Sequence, residues 1–187
     1  MPSRHSDRGA VPLDRDWRRR LATGAAGYRR WLIDRGSLTD RVRAHCAALR
    51  VELVYQGPRR AARDERMVAG GRGQHAFVRE VFLTCAGTRV VFAHSVTRLA
   101  ELRGSWRGLV RLGARPLGAA LFADPRVRRH PLRFRKLGPR DEIHALACAA
   151  TGLRLPALWA RRSIFIRGNS PILVTEVFLP GILDLCG

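Results

Sequence analysis

The stretch Ile172-Leu173-Val174-Thr175-Glu176-Val177-Phe178-Leu179-Pro180 constrains the fold of this chain more than any other. Its aliphatic, aromatic and β-branched side chains lack the alternation of a strand with one wet face, so it reads as a strand covered on both sides. A chain built on such a strand must supply cover for two faces of a sheet. Glu176 interrupts the run, and a carboxylate there stays ionised only with a donor or a cation beside it. Phe77-Val78-Arg79-Glu80-Val81-Phe82-Leu83 is the mirror case, with Arg79 as the basic residue inside an apolar strand.

Around these two segments the pattern predicts an α+β fold. Strands are expected at 49–55, 74–85, 90–96, 132–137, 158–166 and 172–179, joined mainly by hairpins into a single antiparallel sheet of about six strands. Ala86-Gly87-Thr88 and Arg167-Gly168-Asn169-Ser170 supply the two clearest turns. One or two amphipathic helices are predicted over 17–33 from the spacing of Trp17, Leu21, Ala25, Tyr28 and Leu32. Further helices are predicted over 38–46 with Ser37 as N-cap, over 99–112, over 116–122 and over 141–150. Residues 1–16 read as a loose tail and 17–187 as one domain, without repeats or an interdomain linker.

The chain has 187 residues, 46% of them hydrophobic, enough for one substantial core. No apolar run approaches the roughly 18 residues that cross a bilayer, and residues 1–16 lack the apolar core of a secretory signal, so a cytoplasmic address is expected. Formal net charge is +20, yet only one of the 35 basic residues, Lys136, is a lysine. That skew reads as the background of a GC-rich coding sequence rather than as one nucleic-acid surface, and no nucleic-acid partner is expected. The charge should still steer anionic small molecules inward. Schiff-base chemistry would rest on Lys136 alone. Cys46, Cys85, Cys148 and Cys186 form no CxxC and the histidines no HExxH, so no zinc site is expected and the thiols read as reduced. Without heptads or a long exposed apolar stretch, the chain reads as a monomer.

Familiar catalytic motifs are absent. Gly71-Arg72-Gly73-Gln74-His75-Ala76 has dinucleotide-loop spacing but precedes a strand instead of joining a strand to a helix. There is no Walker sequence and no Gly-x-Ser-x-Gly elbow. Arg79 and Glu176 therefore stand out. Each has an ordinary explanation: Arg79 pairing with Glu80 or running to the surface, Glu176 satisfied by backbone donors. Together they suggest a shared site, because two strands of one sheet can bring them close. A pair about 4 Å apart gains roughly 4 kcal/mol at an effective dielectric of 20. Leu38 and Leu117 sit at helix starts, where free backbone N–H groups can hold a carboxylate, although leucines there usually just pack. Arg161 and Arg162 should face opposite sides of a strand, one to solvent and the other available to an anion.

Taken in order, Asp34-Arg35-Gly36-Ser37-Leu38-Thr39, Arg79-Glu80-Val81, Leu112-Gly113 with Pro116-Leu117-Gly118 and Leu121-Phe122, Leu158-Trp159-Ala160-Arg161-Arg162-Ser163, and Thr175-Glu176-Val177-Phe178-Leu179-Pro180 resemble the chorismate lyase family, the chorismate–pyruvate lyases of bacterial ubiquinone synthesis. The resemblance implies a six-stranded antiparallel sheet enclosing its ligand under two flaps. It implies conversion of chorismate to 4-hydroxybenzoate and pyruvate with no cofactor and no metal. It carries substrate binding over to Leu38, Arg79, Leu117 and Glu176, with Arg79 and Glu176 as the catalytic pair. Relatives often have methionine at Leu38, a change of little consequence where the contact is a backbone N–H. His94-Ser95-Val96-Thr97-Arg98 departs from the Arg-Ser-Val-Pro of many relatives. An arginine there would help an anion pass; His94 would do so only when protonated, and Arg98 is the available substitute. The rival reading is a non-catalytic small-aromatic-acid-binding domain of a regulator, which would bring a helix-turn-helix domain for which residues 1–16 are too short.

Overall fold

The computed structural model describes residues 16–185 apart from Arg72 and Gln74, so the expected tail (save Asp16), part of the glycine motif and Cys186 lie outside the described residues. One antiparallel sheet of seven strands organises the chain: β1 (Leu49–Arg60), β2 (His75–Cys85), β3 (Thr88–Arg98), β4 (Val127–Arg129), β5 (Arg133–Leu137), β6 (Leu158–Arg167) and β7 (Ser170–Phe178). The order is β1-β2-β3-β7-β6, and β4 and β5 share the outer edge of β6. Two hairpins make its centre. In the first, Ala86 (φ 45°) and Gly87 (φ 84°) both take left-handed backbone, as a tight turn matched to strand twist requires. Pairing of β3 with β7 joins the two hairpins and leaves the apolar β7 in the middle.

Period-two alternation then sorts the side chains. The first face carries Arg79 and Val81 from β2, Ala93 and Ser95 from β3, Val174 and Glu176 from β7, and Arg161 and Ser163 from β6. The second carries Glu80, His94, Thr175 and Arg162 in one row across the same strands. On each face these polar rows lie between two apolar clusters. On the first, Trp31, Leu32, Leu38, Val42 and Phe178 pack at one end, and Phe77, Leu117, Leu121, Phe165 and Ile172 at the other. On the second, Phe82, Phe92, Val177 and Ile143 make one cluster, and Val78 and Val96 with Ile164 and Leu173 make the rest.

Helices α1 (Arg29–Leu32), α2 (Leu38–His45) and α4 (Leu117–Ala123) cover the first face, and α5 (Glu142–Thr151) and α3 (Arg66–Ala69) cover the second. Ser37 caps α2, accepting from the Asp40 amide at 3.3 Å. Several expectations need correction. Residues 17–33 form a bridge from Arg18 to Phe134, a 3-10 turn and the single turn of α1 rather than amphipathic helices. Trp17 is buried because its indole lies 3.7 Å from the Arg162 guanidinium on the second face, which pins the chain before a helix can start. Residues 99–112 form two 3-10 segments broken at Gly104, not one helix. The first strand runs on to Arg60 through Pro58, which an edge strand tolerates because the missing amide would face outward. The three-residue β4 was not expected. Cys46 and Cys85 are bonded, contrary to the expectation of four reduced thiols, because the fold brings the C-cap of α2 beside the end of β2. Cys148 is free. Among the described residues no helix is long and apolar enough to cross a membrane.

Candidate active site

Ala93, Val174 and Glu176 are partly accessible although they lie on the sheet's central strands, and the space that exposes them is an internal cavity. The sheet contributes Val81, Ala93, Ser163, Phe165, Val174 and Glu176; the roof is Leu38 and Thr39 at the start of α2 with Pro116, Leu117, Gly118 and Leu121 at the start of α4. The two helix starts touch: a Cβ added to Gly118 would lie 3.1 Å from Ser37 Oγ. In this closed arrangement the cavity measures about 50 Å³. Small-molecule pockets usually measure roughly 300–1,000 Å³, so a ring enters only if the two flaps part. Leu38 and Leu117 each stand in a first helical turn, whose amides have no acceptor within the helix.

Glu176 and Arg79 stand on the same face but do not pair. The Glu176 carboxylate is held by Arg161, Nε to Oε2 at 2.5 Å. Arg161 is 0% exposed, its Nη1 donates to the Trp31 and Asp34 carbonyls at 2.9 and 2.6 Å, and its Nη2 has no partner among the described residues. One guanidinium thus ties the acid to the segment that leads into the α2 flap. Sequence reading noticed Arg161 and Arg162 but expected one in solvent. Both are fully buried, because β6 is covered on both faces.

Arg79 is 2% exposed and its Nη2 donates to the Gly113 and Arg115 carbonyls, at 2.8 and 2.9 Å, in the segment leading into α4. Burial lowers its guanidinium to about 10, which leaves it charged at neutral pH. Among the described residues no acid accompanies it and its Nε has no partner. It neither pairs with Glu80 nor reaches the surface, since Glu80 faces the other way. Arg79 is therefore a buried cation compensated only by carbonyl dipoles, next to a cavity whose own acid is already paired. An anion placed in the cavity would supply the missing countercharge.

Arg129, which sequence reading missed, is the one cation among the described residues that line the cavity; Arg79 stands behind that lining rather than in it. It sits on the short β4, whose Val-Arg-Arg sequence carries no strand signal. Its Nε donates to Ser163 Oγ at 3.0 Å and its Nη1 to the Arg35 carbonyl at 2.6 Å. The guanidinium lies 5.2 and 5.4 Å from the ring centres of Phe165 and Phe122. Burial brings it down to about 10, and Glu176 and Asp34 counter part of that shift.

His94 does not line the cavity. It is buried on the second face, Nδ1 3.1 Å from Glu80 and Nε2 2.9 Å from Glu65, and Arg59 also donates to Glu80 at 2.5 Å. Burial alone would lower its imidazole, but Glu65 and Glu80 carry it up to about 9. Arg98 lies in the open beside Gly70, away from the cavity. Neither residue is placed to pass an anion into the cavity. On the same face, two strands away, Arg162 donates to Asp64 at 2.6 Å. Burial raises the Asp64 carboxyl, and Arg162 with Trp17 more than reverses this, leaving it below the ordinary carboxylate range.

Comparison with known proteins agrees with the geometry. The family profile described as chorismate lyase matches residues 17–186. A "probable chorismate pyruvate-lyase" of Nitrosomonas eutropha is 47% identical over 170 residues, covering 90% of this chain and 96% of that one. A protein of the same description from Nitrosomonas europaea is 50% identical over 156 residues, 83% of this chain and 88% of that one. Among solved structures, the PhnF C-terminal domain superposes with a TM-score of 0.51 at 13% identity, covering 68% of this chain and 80% of that domain, a likeness of fold alone.

Proposed function

Since the chain belongs to the chorismate lyase family, we propose that it converts chorismate to 4-hydroxybenzoate and pyruvate, the first step of the ubiquinone head-group pathway, as a monomer in the cytoplasm. The observation that carries the reading is Arg79, buried with carbonyl partners but no acid among the described residues, beside a closed cavity whose described lining holds one acid. Chorismate is a dianion. Its ring carboxylate and its enolpyruvyl carboxylate need donors, and water has to be kept out while the ring aromatises.

In the reaction the bond from the ring to the enolpyruvyl oxygen breaks with its electron pair leaving on oxygen. A ring hydrogen departs from the carbon bearing the hydroxyl, and that hydroxyl becomes the phenol of the product. The enol takes up a proton at carbon to give pyruvate. Aromatisation drives this, so the protein's work is positioning and charge stabilisation. Arg79 is assigned the negative charge that grows on the departing enolpyruvyl oxygens, exchanging its carbonyl partners for the ligand. Glu176, fixed by Arg161, is assigned a hydrogen bond from the ring hydroxyl. Direct transfer of the ring hydrogen to the enol carbon and removal by Glu176 both suit this arrangement. The amides of Leu38 and Leu117 are assigned to ligand carboxylate as the flaps close. Flap opening then limits product release.

Purified protein incubated with chorismate should yield 4-hydroxybenzoate and pyruvate in equal amounts by chromatography, with the hydroxyl position read against the 3-hydroxy isomer. Absence of 4-hydroxybenzoate ends the reading. Arg79→Ala should lower kcat/KM by about 10²–10³, the usual loss of a donor to developing charge, with an unchanged circular dichroism spectrum. Near-normal turnover removes Arg79 from the chemistry.

A further inference from the structure

A second concavity adjoins the cavity. It is an open cleft of about 690 Å³ rimmed by Arg19, Arg20, Arg29, Arg35 and Arg129 and floored by Leu132 and Phe134. Among the described lining residues there is no acid. Arg19, Arg20, Arg29 and Arg35 are exposed, so the charge is held at the rim while the floor is apolar and partly or fully buried. Arg129 is common to this cleft and to the closed cavity. Its bond to the Arg35 carbonyl closes the wall between them, joining β4 to the segment that leads into the α2 flap. A concave surface of one sign over a low-dielectric floor concentrates counter-ions. Its size is that of a small-molecule site, and its combination of guanidinium rim and apolar floor fits an aromatic or cyclic carboxylate rather than an inorganic ion.

We infer that this arginine cleft is a receiving site for the anionic ligand, and that Arg129 is the gate between it and the cavity. The inference deepens the proposed function and rests on it for the identity of the natural ligand. The ligand docks through its carboxylate on the rim, and the Arg129–Arg35 link opens as the α2 flap lifts. Arg129 then re-forms the wall behind the ring, its guanidinium guided by the faces of Phe122 and Phe165.

The test is stopped-flow association of 4-hydroxybenzoate with the full chain, followed by tryptophan fluorescence over a range of NaCl, beside the uncharged 4-hydroxybenzamide. The wild type should bind the anion with an association rate that falls steeply with salt, and the amide without that dependence. Arg19→Ala/Arg20→Ala, and separately Arg29→Ala, should slow anion association about tenfold at low salt and flatten its salt slope, leaving dissociation and the amide unchanged. Arg129→Gln should raise both association and dissociation rates. Equal anion rates and slopes in the wild type and the rim variants overturn the receiving site, and an unchanged dissociation rate in Arg129→Gln overturns the gate. Turnover of chorismate by the wild type is measured separately, so failure of the proposed reaction is distinguished from failure of the cleft.

Discussion

Reduction of the Cys46–Cys85 disulfide should destabilise the fold and loosen one flap together. The bond closes a loop spanning a sequence separation of 39. Chain-entropy arithmetic for a loop of that length gives about 4 kcal/mol at 25 °C. Cys46 is also the C-cap of α2, whose first residue, Leu38, roofs the cavity. The bond therefore anchors the far end of the flap to β2. Guanidinium denaturation of oxidised protein, of protein reduced with a phosphine, and of Cys46→Ala/Cys85→Ala should show the last two less stable by about 4 kcal/mol. Release of 4-hydroxybenzoate, followed by stopped-flow displacement, should quicken in the same samples, while Cys148→Ala should leave both unchanged. A loss under about 1 kcal/mol in fully reduced protein, with an unaltered release rate, would refute the tether, since loop closure alone predicts several times more.

Glu176→Gln keeps the shape of the acid but removes its charge and leaves Arg161 buried without a counter-ion; kcat/KM should fall about 10²–10⁴, and thermal denaturation should show lower stability, whereas normal turnover would make the acid structural. His94 gives a pH signature: because its imidazole is raised from 6.5 to about 9, its stabilisation is full below about pH 6.5 and is lost as pH rises through 9. That loss is on the order of 3 kcal/mol. Urea denaturation at pH 6 and pH 9.5 should register it, and His94→Gln should flatten the difference. Gly118→Ala places a methyl 3.1 Å from Ser37 Oγ and should push the flaps apart; a few-fold rise in KM and in product dissociation is expected, and unchanged kinetics would mean that the flaps do not meet there in solution.

Much of the sheet was legible because β2 and β7 are apolar on both faces, a pattern that admits few other folds, and because Gly87 and Gly168 mark the turns. The N-terminal segment was not, since Trp17 is placed by stacking on Arg162, a partner distant in sequence. Residues 99–112 have helical spacing, yet Trp106 is drawn under the sheet's end by its bond to the Ser170 carbonyl at 3.1 Å, and Gly104 breaks the run. For the site, the residue types were readable and their partners were not. A lone acid in an apolar strand requires a cation, but that this is Arg161 and not Arg79 follows from the β6–β7 register. The carbonyls that hold Arg79, and the arginine of β4, belong to segments with no pattern of their own.

The doublet Arg161-Arg162 also makes the alignment of β6 self-checking. Each arginine meets one acid on its own side of the sheet, Glu176 above and Asp64 below. A slip of one residue in either direction inverts every side chain of the strand. Shifted one way, Arg162 takes over Glu176 while Arg161 falls among Phe82 and Phe92 and Asp64 is orphaned. Shifted the other way, Arg161 reaches the lower row and Glu176 is abandoned. A hairpin misaligned by one residue thus leaves one of the two acids without its cation, and the native register alone satisfies both.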